Sequence, residues 1–279
     1  MRVAEPILAS WRAELELGFD RRGAKTLLAR RRHDGPLVVQ KPLYPEGDAV
    51  CHAIVVHPPG GIAGGDELRI ALAAGEGARA LLTTPGAGKW YRSGGAQARQ
   101  AVWIDVAPGA TLEWLPQETI LFDGARAALS TEVRLAGDAG YIGWEIACLG
   151  RTGSGERFAS GGCRFSSAIL RDGRPLWLER GCVGGGGGLM NSAAGLAGQP
   201  VFGTLAAAFP GLGRAELEAC RVVSPEDGRG GVTRLPGVLL ARYLGASTES
   251  ARRWFTALWR ILRPALAGRE AVEPRIWRT

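Results

Sequence analysis

A chain of 279 residues, 46% of them hydrophobic, can bury a sizeable core, which excludes the disordered and fibrous classes. Its 42 glycines follow no Gly-X-Y period, which excludes collagen and favours short strands punctuated by turns in an all-β or β-rich fold. The formal charge of +7, carried by arginine far more than lysine, suits nucleic acid, an anionic membrane or an acidic protein partner, although a GC-rich genome yields the same Gly-, Ala- and Arg-rich composition.

Along the chain, the opening "MRVAEPILASWRAELELGF" lacks the apolar stretch of a signal peptide, and no later run approaches a membrane span, so a soluble cytoplasmic protein is expected. In "RAELELGF", Ala13, Leu15, Leu17 and Phe19 fall on one side of a strand and the charges on the other. "DELRIAL" repeats the alternation with Leu68, Ile70 and Leu72, and "AVWIDVAPGATLEWLP" reads as two short strands around Pro108-Gly109. "LSTEVRL" sets Leu129, Thr131, Val133 and Leu135 on one face, and "YIGWEIACLGR" does so with Ile142, Trp144, Ile146 and Cys148. Asp172-Gly173 sits between two extended runs, the preferred type I′ hairpin pair. These strands succeed one another without intervening helices, which excludes a doubly wound α/β fold, and no repeat of fixed period is visible.

The stretch 181–200, with five consecutive glycines, reads as a flexible loop or as a segment that orders against a partner. Beyond it the period changes. From Ser247, an apt N-cap, Ala251, Trp254, Phe255, Leu258, Trp259 and Leu262 make the stripe of an amphipathic helix over 247–263, which Pro264 is expected to kink or end. An aromatic face of this kind suits core packing first and an interface second.

The five cysteines, Cys51, Cys148, Cys163, Cys182 and Cys220, are odd in number and contain no C-x-x-C, so no disulfide framework is expected. The stretch "TTPGAGKWYRS" imitates a phosphate loop. However, Thr83 stands where the first glycine belongs and Trp90 where the Mg²⁺-binding hydroxyl belongs, so it is read as a decoy. The polar concentration "CHAIVVHPPGGIAGGDELRI" holds Cys51, His52, His57 and Asp66 at no standard metal spacing, with His52 and His57 on opposite faces of a regular strand. Two readings stay open there: a weak metal site using His57 and Asp66, or a strand-ending His57 bonded to local backbone. Glu113, Glu118, Glu145 and Glu156 lie in apolar strings and need partners, for which Arg151 and Arg157 are near in sequence. They form either structural ion pairs or a polar seam through the β core. H-E-x-x-H, G-x-S-x-G and G-x-G-x-x-G are absent, and no stretch joins basic and aromatic residues as a nucleic-acid platform.

"HPPGGIAGGD", "TTPGAGKWYRS", "LEWLPQETILFDGA", "GWEIACLGRTGSGERF" and the terminal "PRIWRT" together resemble the urease accessory protein family UreD, also called UreH, in order and spacing from about Arg12 to the last residue. The five-glycine run matches no motif of that family. The resemblance implies one domain over 1–279, mainly β, with stacked β-helix-like sheets and few helices. It implies a nickel-insertion chaperone that binds apo-urease and UreF. UreF recruits the GTPase UreG, to which UreE supplies nickel, and the assembly activates urease after lysine carbamylation. The nucleotide would then belong to UreG, with neither nucleic acid nor membrane as partner and no tightly bound cofactor. Nickel crossing such a protein needs ligands that bind weakly and release quickly, and His57, Asp66, Glu118 and Glu156 are the side chains expected along that transient route. The alternative is a metal-dependent hydrolase using His57, Asp66 and Glu118.

Overall fold

A computed structural model of the chain describes residues 10–278. Period-two alternation dominates the sequence, and the described residues form seventeen strands. They are β1 (Arg12–Arg22), β2 (Lys25–Asp34), β3 (Val38–Val39), β4 (Cys51–Val56), β5 (Glu67–Ala74), β6 (Arg79–Thr83), β7 (Gly88–Trp90), β8 (Ala98–Val106) and β9 (Thr111–Trp114). There follow β10 (Thr119–Leu121), β11 (Arg126–Leu135), β12 (Gly140–Leu149), β13 (Gly162–Arg171), β14 (Arg174–Gly184), the short helix α1 (Gly188–Asn191) and β15 (Val201–Ala208). The chain closes with α2 (Arg214–Val222), β16 (Arg229–Leu235), β17 (Val238–Gly245) and α3 (Thr248–Ala267).

The strands form two facing sheets. One runs β14-β13-β11-β8-β5-β1-β2, the other β16-β17-β15-β12-β9-β6-β4-β3, with β7 and β10 attached beside β12. From β4 to β13 the chain steps from one sheet to the other at each long strand, and the stacked neighbours run parallel. This is the winding of a β-solenoid, so the mainly β, stacked, helix-poor architecture expected from the sequence is the one observed. Antiparallel pairs finish its two flanks.

The two ends of the coil differ. At one end the crossings are tight turns through Gly77, Gly109 and Gly137, all at positive φ, and the turns stack on one another. The Gly77 N–H donates to the Pro108 carbonyl at 3.2 Å, and the Gly109 N–H to Asp138 Oδ1 at 2.6 Å. At the other end the crossings are the long segments 57–66, 84–97, 115–125 and 150–161, the middle two of which carry β7 and β10. The unusual glycine-rich motifs of the sequence therefore gather at this second end.

Residues of the inner faces, among them Leu15, Leu17, Ile70, Ile104 and Val133, fill the space between the sheets. Ile142, Trp144, Ile146 and Cys148 point the other way, to the face of the second sheet that α3 covers. Every apolar position of the predicted helical stripe is buried there. Trp254, Phe255, Leu258, Trp259 and Leu262 each contribute about 1.5–3 kcal/mol by leaving water. Ser247 caps the helix by accepting the Ser250 N–H at 3.2 Å. Pro264 does not end it: the helix continues to Ala267 and stops at Gly268 in the left-handed conformation. Proline removes one hydrogen bond in the last turn, and the packed face below holds that turn in place.

The stretch 181–200 also differs from the expected loop. Residues 181–184 complete β14, and the glycines after them are packed rather than loose. The Gly185 N–H donates to the Gly161 carbonyl and the Gly186 N–H to that of Phe158. A Cβ on Gly185 would stand 2.5 Å from the Ser160 backbone, so only glycine admits this backbone-to-backbone approach. Asp172-Gly173 forms the expected hairpin turn, both residues at positive φ.

Candidate functional site

Between the sheets the core is incomplete. A cavity of about 950 Å³ runs across the inner faces from Leu37 and Val55 to Arg242 and Leu244, and reaches the loop end of the coil at Gly60, Gly86 and Gln117. The unusual motifs thus build its rim. In the loop 57–66, Gly61 lies under the ring of Tyr91, where a Cβ would come within 2.2 Å, and the Ile62 N–H donates to the Lys89 carbonyl at 2.7 Å. Tyr91 meets Phe122 edge-on, and the Arg151 guanidinium lies over Phe122. Asp123 accepts the backbone N–H groups of Ala159 and Ser160 and pairs with Arg92 at 2.7 Å.

The phosphate-loop imitation is one wall of this rim. Gly88–Trp90 is a strand, parallel to β10, and no helix follows it to present N–H groups to a phosphate. Thr83 instead ties the C-terminus to the rim. Its hydroxyl donates to the Leu115 carbonyl at 2.6 Å and accepts the Trp277 indole N–H at 2.8 Å. Trp277 in turn packs against Trp144 and Trp259. The isolated chain is therefore expected to bind neither ATP nor GTP. Equilibrium binding of a fluorescent nucleotide checks this, and micromolar affinity abolished by Lys89→Ala would contradict it.

The four residues expected along a metal route fall into two pairs. His57 and Glu118 line the cavity at its loop end. Burial lowers the His57 imidazole below its ordinary range, and nearby Asp66 offsets only part of this, so the ring is neutral and can act as a ligand at neutral pH. Asp66 and Glu156 are engaged structurally. The two carboxylate oxygens of Asp66 accept the Trp11 N–H at 2.9 Å and the Ala63 N–H at 2.8 Å. Glu156 is gripped by the Arg151 side chain at 3.0 and 3.2 Å and by the backbone N–H groups of Arg151 and Asp123, and the Arg151 contacts hold its carboxyl below the ordinary range.

Arg151 is thus the sequence-near partner of Glu156, but the other embedded carboxylates are satisfied differently. Glu113 pairs with Arg263, from the far C-terminal helix. Among the described residues Glu145 has no cationic partner. It sits between the sheets on β12, accepting hydrogen bonds from Thr131 on β11 and from Ser167 on β13 at 3.1 Å. Burial pushes its carboxyl up, and the two hydroxyls only partly offset this. A raised folded pKa contributes stability that is full below the ordinary Glu range and lost as pH rises through the folded value. Glu145→Gln is therefore expected to gain melting temperature relative to the native chain between about pH 4 and about pH 8. Thermal melts at both ends check this; a constant difference would contradict it.

Glu145, one of the four carboxylates read from the sequence as ion-paired or as part of a polar seam, lines the cavity, whereas the ion pair of Glu179 with Arg242 at 2.5 Å, which ties β14 to β17 at its far side, was missed. Thr131 among the inward apolar residues of its strand was the available signal for the cavity. Cys163 also faces the cavity, but burial pushes its thiol up to about 12, so it stays an S–H and a poor metal trap. Among the described residues no three of His, Cys, Asp and Glu gather as a metal centre. The hydrolase alternative requires His57, Asp66 and Glu118 on one ion, whereas both Asp66 oxygens already serve backbone N–H groups.

The described residues thus form a wound β scaffold whose interior cavity opens at the loop end of the coil. The family model described as UreD urease accessory protein matches residues 12–278, and the chain belongs to that family. It is 58% identical over 279 residues to "Urease accessory protein UreD" of Azoarcus sp. (strain BH72), an alignment covering 100% of this chain and 97% of the relative. It is 60% identical over 274 residues to the protein of that name from Dechloromonas aromatica (strain RCB), covering 97% and 95%. With the Pseudomonas aeruginosa (strain PAO1) protein it shares 53% over 283 residues, covering both chains in full.

Proposed function

We propose that the chain is a urease-maturation chaperone that binds apo-urease and UreF in the cytoplasm, engages the UreG GTPase through UreF, and supports nickel insertion. The observation that carries this reading is the cavity, whose loop-end mouth presents a neutral imidazole and a carboxylate and whose interior holds Glu145. Nickel is cargo here, not a resident cofactor. A passage serves cargo when its ligands are few, borderline or hard, and separated, so that each hold is brief. His57 and Glu118 meet that description, while Asp66 and Glu156 shape the rim that positions them. Cys163, which stays an S–H, offers no strong trap along the passage.

The test has two layers. Co-purification of the chain with nickel-free urease and UreF checks the chaperone reading; failure to associate, or substrate turnover by the isolated chain, would overturn it. For the route, His57→Ala and Glu118→Gln are expected to leave complexes intact while nickel per urease active site falls several-fold. Asp66→Ala and Glu156→Gln are expected to lower nickel only in step with lost protein or lost complex. Normal nickel delivery by both His57→Ala and Glu118→Gln would place the route elsewhere.

A further inference from the structure

Among the described residues, β2 is the outermost strand of the first sheet and pairs with β1 alone. An edge strand carries unpaired N–H and C=O groups along its free side. The first half of β2 is covered. The Thr26 N–H donates to the Asp48 carbonyl at 2.9 Å, the Thr26 hydroxyl to the Ala49 carbonyl at 2.8 Å, and Lys25 pairs with Asp48 at 2.7 Å. The second half, residues 29–34, is exposed throughout and carries Arg30, Arg31, Arg32 and His33 in succession. Among the described residues, no ion pair and no side-chain hydrogen bond engages these three arginines.

The other long edges are managed within the fold. Arg221 of α2 donates to the Val232 carbonyl on β16. β14 carries Pro175, which has no N–H, and is tied across to β17 by Glu179 and Arg242. Among the described residues, the free half of β2 has no such cover. Its register fixes the directions of its charges. Arg30 and Arg32 lie opposite Gly18 and Glu16 on the outer face, while Arg31 and His33 lie opposite Leu17 and Leu15 on the inner face. A strand laid along this edge therefore meets cationic side chains on both of its faces.

A second copy of the chain is a poor occupant. Two β2 edges paired together would set arginine against arginine, and like charges directly across a ladder are destabilising. We propose that residues 29–34 of β2 dock an extended acidic segment of a protein partner, which adds to the first sheet as its outer strand. Main-chain hydrogen bonds to the free edge give the pairing, and consecutive Asp or Glu side chains meet the arginines above and below the sheet.

Fluorescence anisotropy with the full chain tests the assignment, using three labelled probes. One is a synthetic peptide alternating Glu with Val and Thr, one has the same charge with prolines interrupting it, and one is an oligouridylate. The acidic strand peptide is expected to bind, with the proline-interrupted peptide weaker by about tenfold or more because it cannot complete the ladder. Arg30→Glu/Arg32→Glu and, separately, Arg31→Glu are expected to weaken the strand peptide about tenfold while melting temperature is unchanged. Equal binding of both peptides would reduce the site to charge attraction and overturn the proposal. So would tighter binding of the oligouridylate, or charge-reversed chains that self-associate but bind the peptide as before, which would leave the arginines only as guards of the edge.

Discussion

Replacing Arg263 with leucine is expected to destabilise the chain by about 3–5 kcal/mol, the usual cost of stripping one partner from a buried ion network. Arg263 is fully buried in α3. Its two terminal nitrogens each reach an oxygen of Glu46 at 2.7 Å, and its Nε lies 3.0 Å from both oxygens of Glu113. Glu46 also meets His52 Nε2 at 2.6 Å, and Glu113 accepts the Trp259 indole N–H. One guanidinium thus pins α3 to the second sheet and to the loop before β4. Leucine would leave two carboxylates buried without it. Burial raises Glu46, but the bonds from His52 and then Arg263 outweigh this and hold it below the ordinary Glu range. A depressed carboxylate contributes stability above its unfolded pKa and loses it as pH falls through the folded value. The deficit of Arg263→Leu is therefore largest above about pH 5 and shrinks in acid, where the abandoned carboxylates take up protons. Urea unfolding across that range measures it, and a melting-temperature fall of roughly 6–15 °C at neutral pH is the companion readout. Adding Glu113→Gln to the variant should restore part of the loss.

Ala147→Trp is expected to cut nickel per urease active site by about tenfold or more, since a close-packed interior admits no hydrated or partly hydrated ion. Ala147 lies on the inner face of β12, between Phe202 on β15 and Thr119 on β10, and its small side chain lines the cavity there. An indole there fills space that is otherwise empty, so it need not strain the fold. Thr204→Trp, on the neighbouring strand, fills the same passage from another direction and guards against a folding defect in the first variant. Both chains should still co-purify with apo-urease and UreF, because the substituted side chains are internal.

Much of this fold was legible because burial on one face imposes alternation. The strand set 13, 15, 17, 19 and the helical stripe from Ala251 to Leu262 follow directly from it. The winding was not legible. Its tight turns run from Ala74 to Ala78, from Ala107 to Ala110 and from Ala136 to Ala139, each closed by a buried alanine whose N–H donates back across the turn. The rungs between them differ in length, so no fixed period betrays the coil. Long-range pairings such as Glu113 with Arg263 are invisible for a related reason: nothing local in "LEWLPQE" names a partner on a helix at the far end of the chain. The lining of the candidate site was partly legible. His57 and Glu118 stood out as polar residues in otherwise turn-forming or apolar motifs, but the same motifs made Asp66 and Glu156 look equivalent to them. Only geometry separates a carboxylate that fastens its own loop from one that faces open space.

The proposed passage of nickel inside this chain is tested by urease loading in the presence of a chelator too large to enter the cavity. Nickel-charged UreG, UreF, apo-urease and this chain would be combined with and without that chelator, and nickel per active site determined for the native chain, Ala147→Trp and Thr204→Trp. The native chain is predicted to load urease almost as well with the chelator as without it, and both filled-cavity variants to fail under either condition while still forming complexes. Full loading by the filled variants, or loss of native loading to the external chelator, would show that the metal reaches urease through solvent and not through this chain.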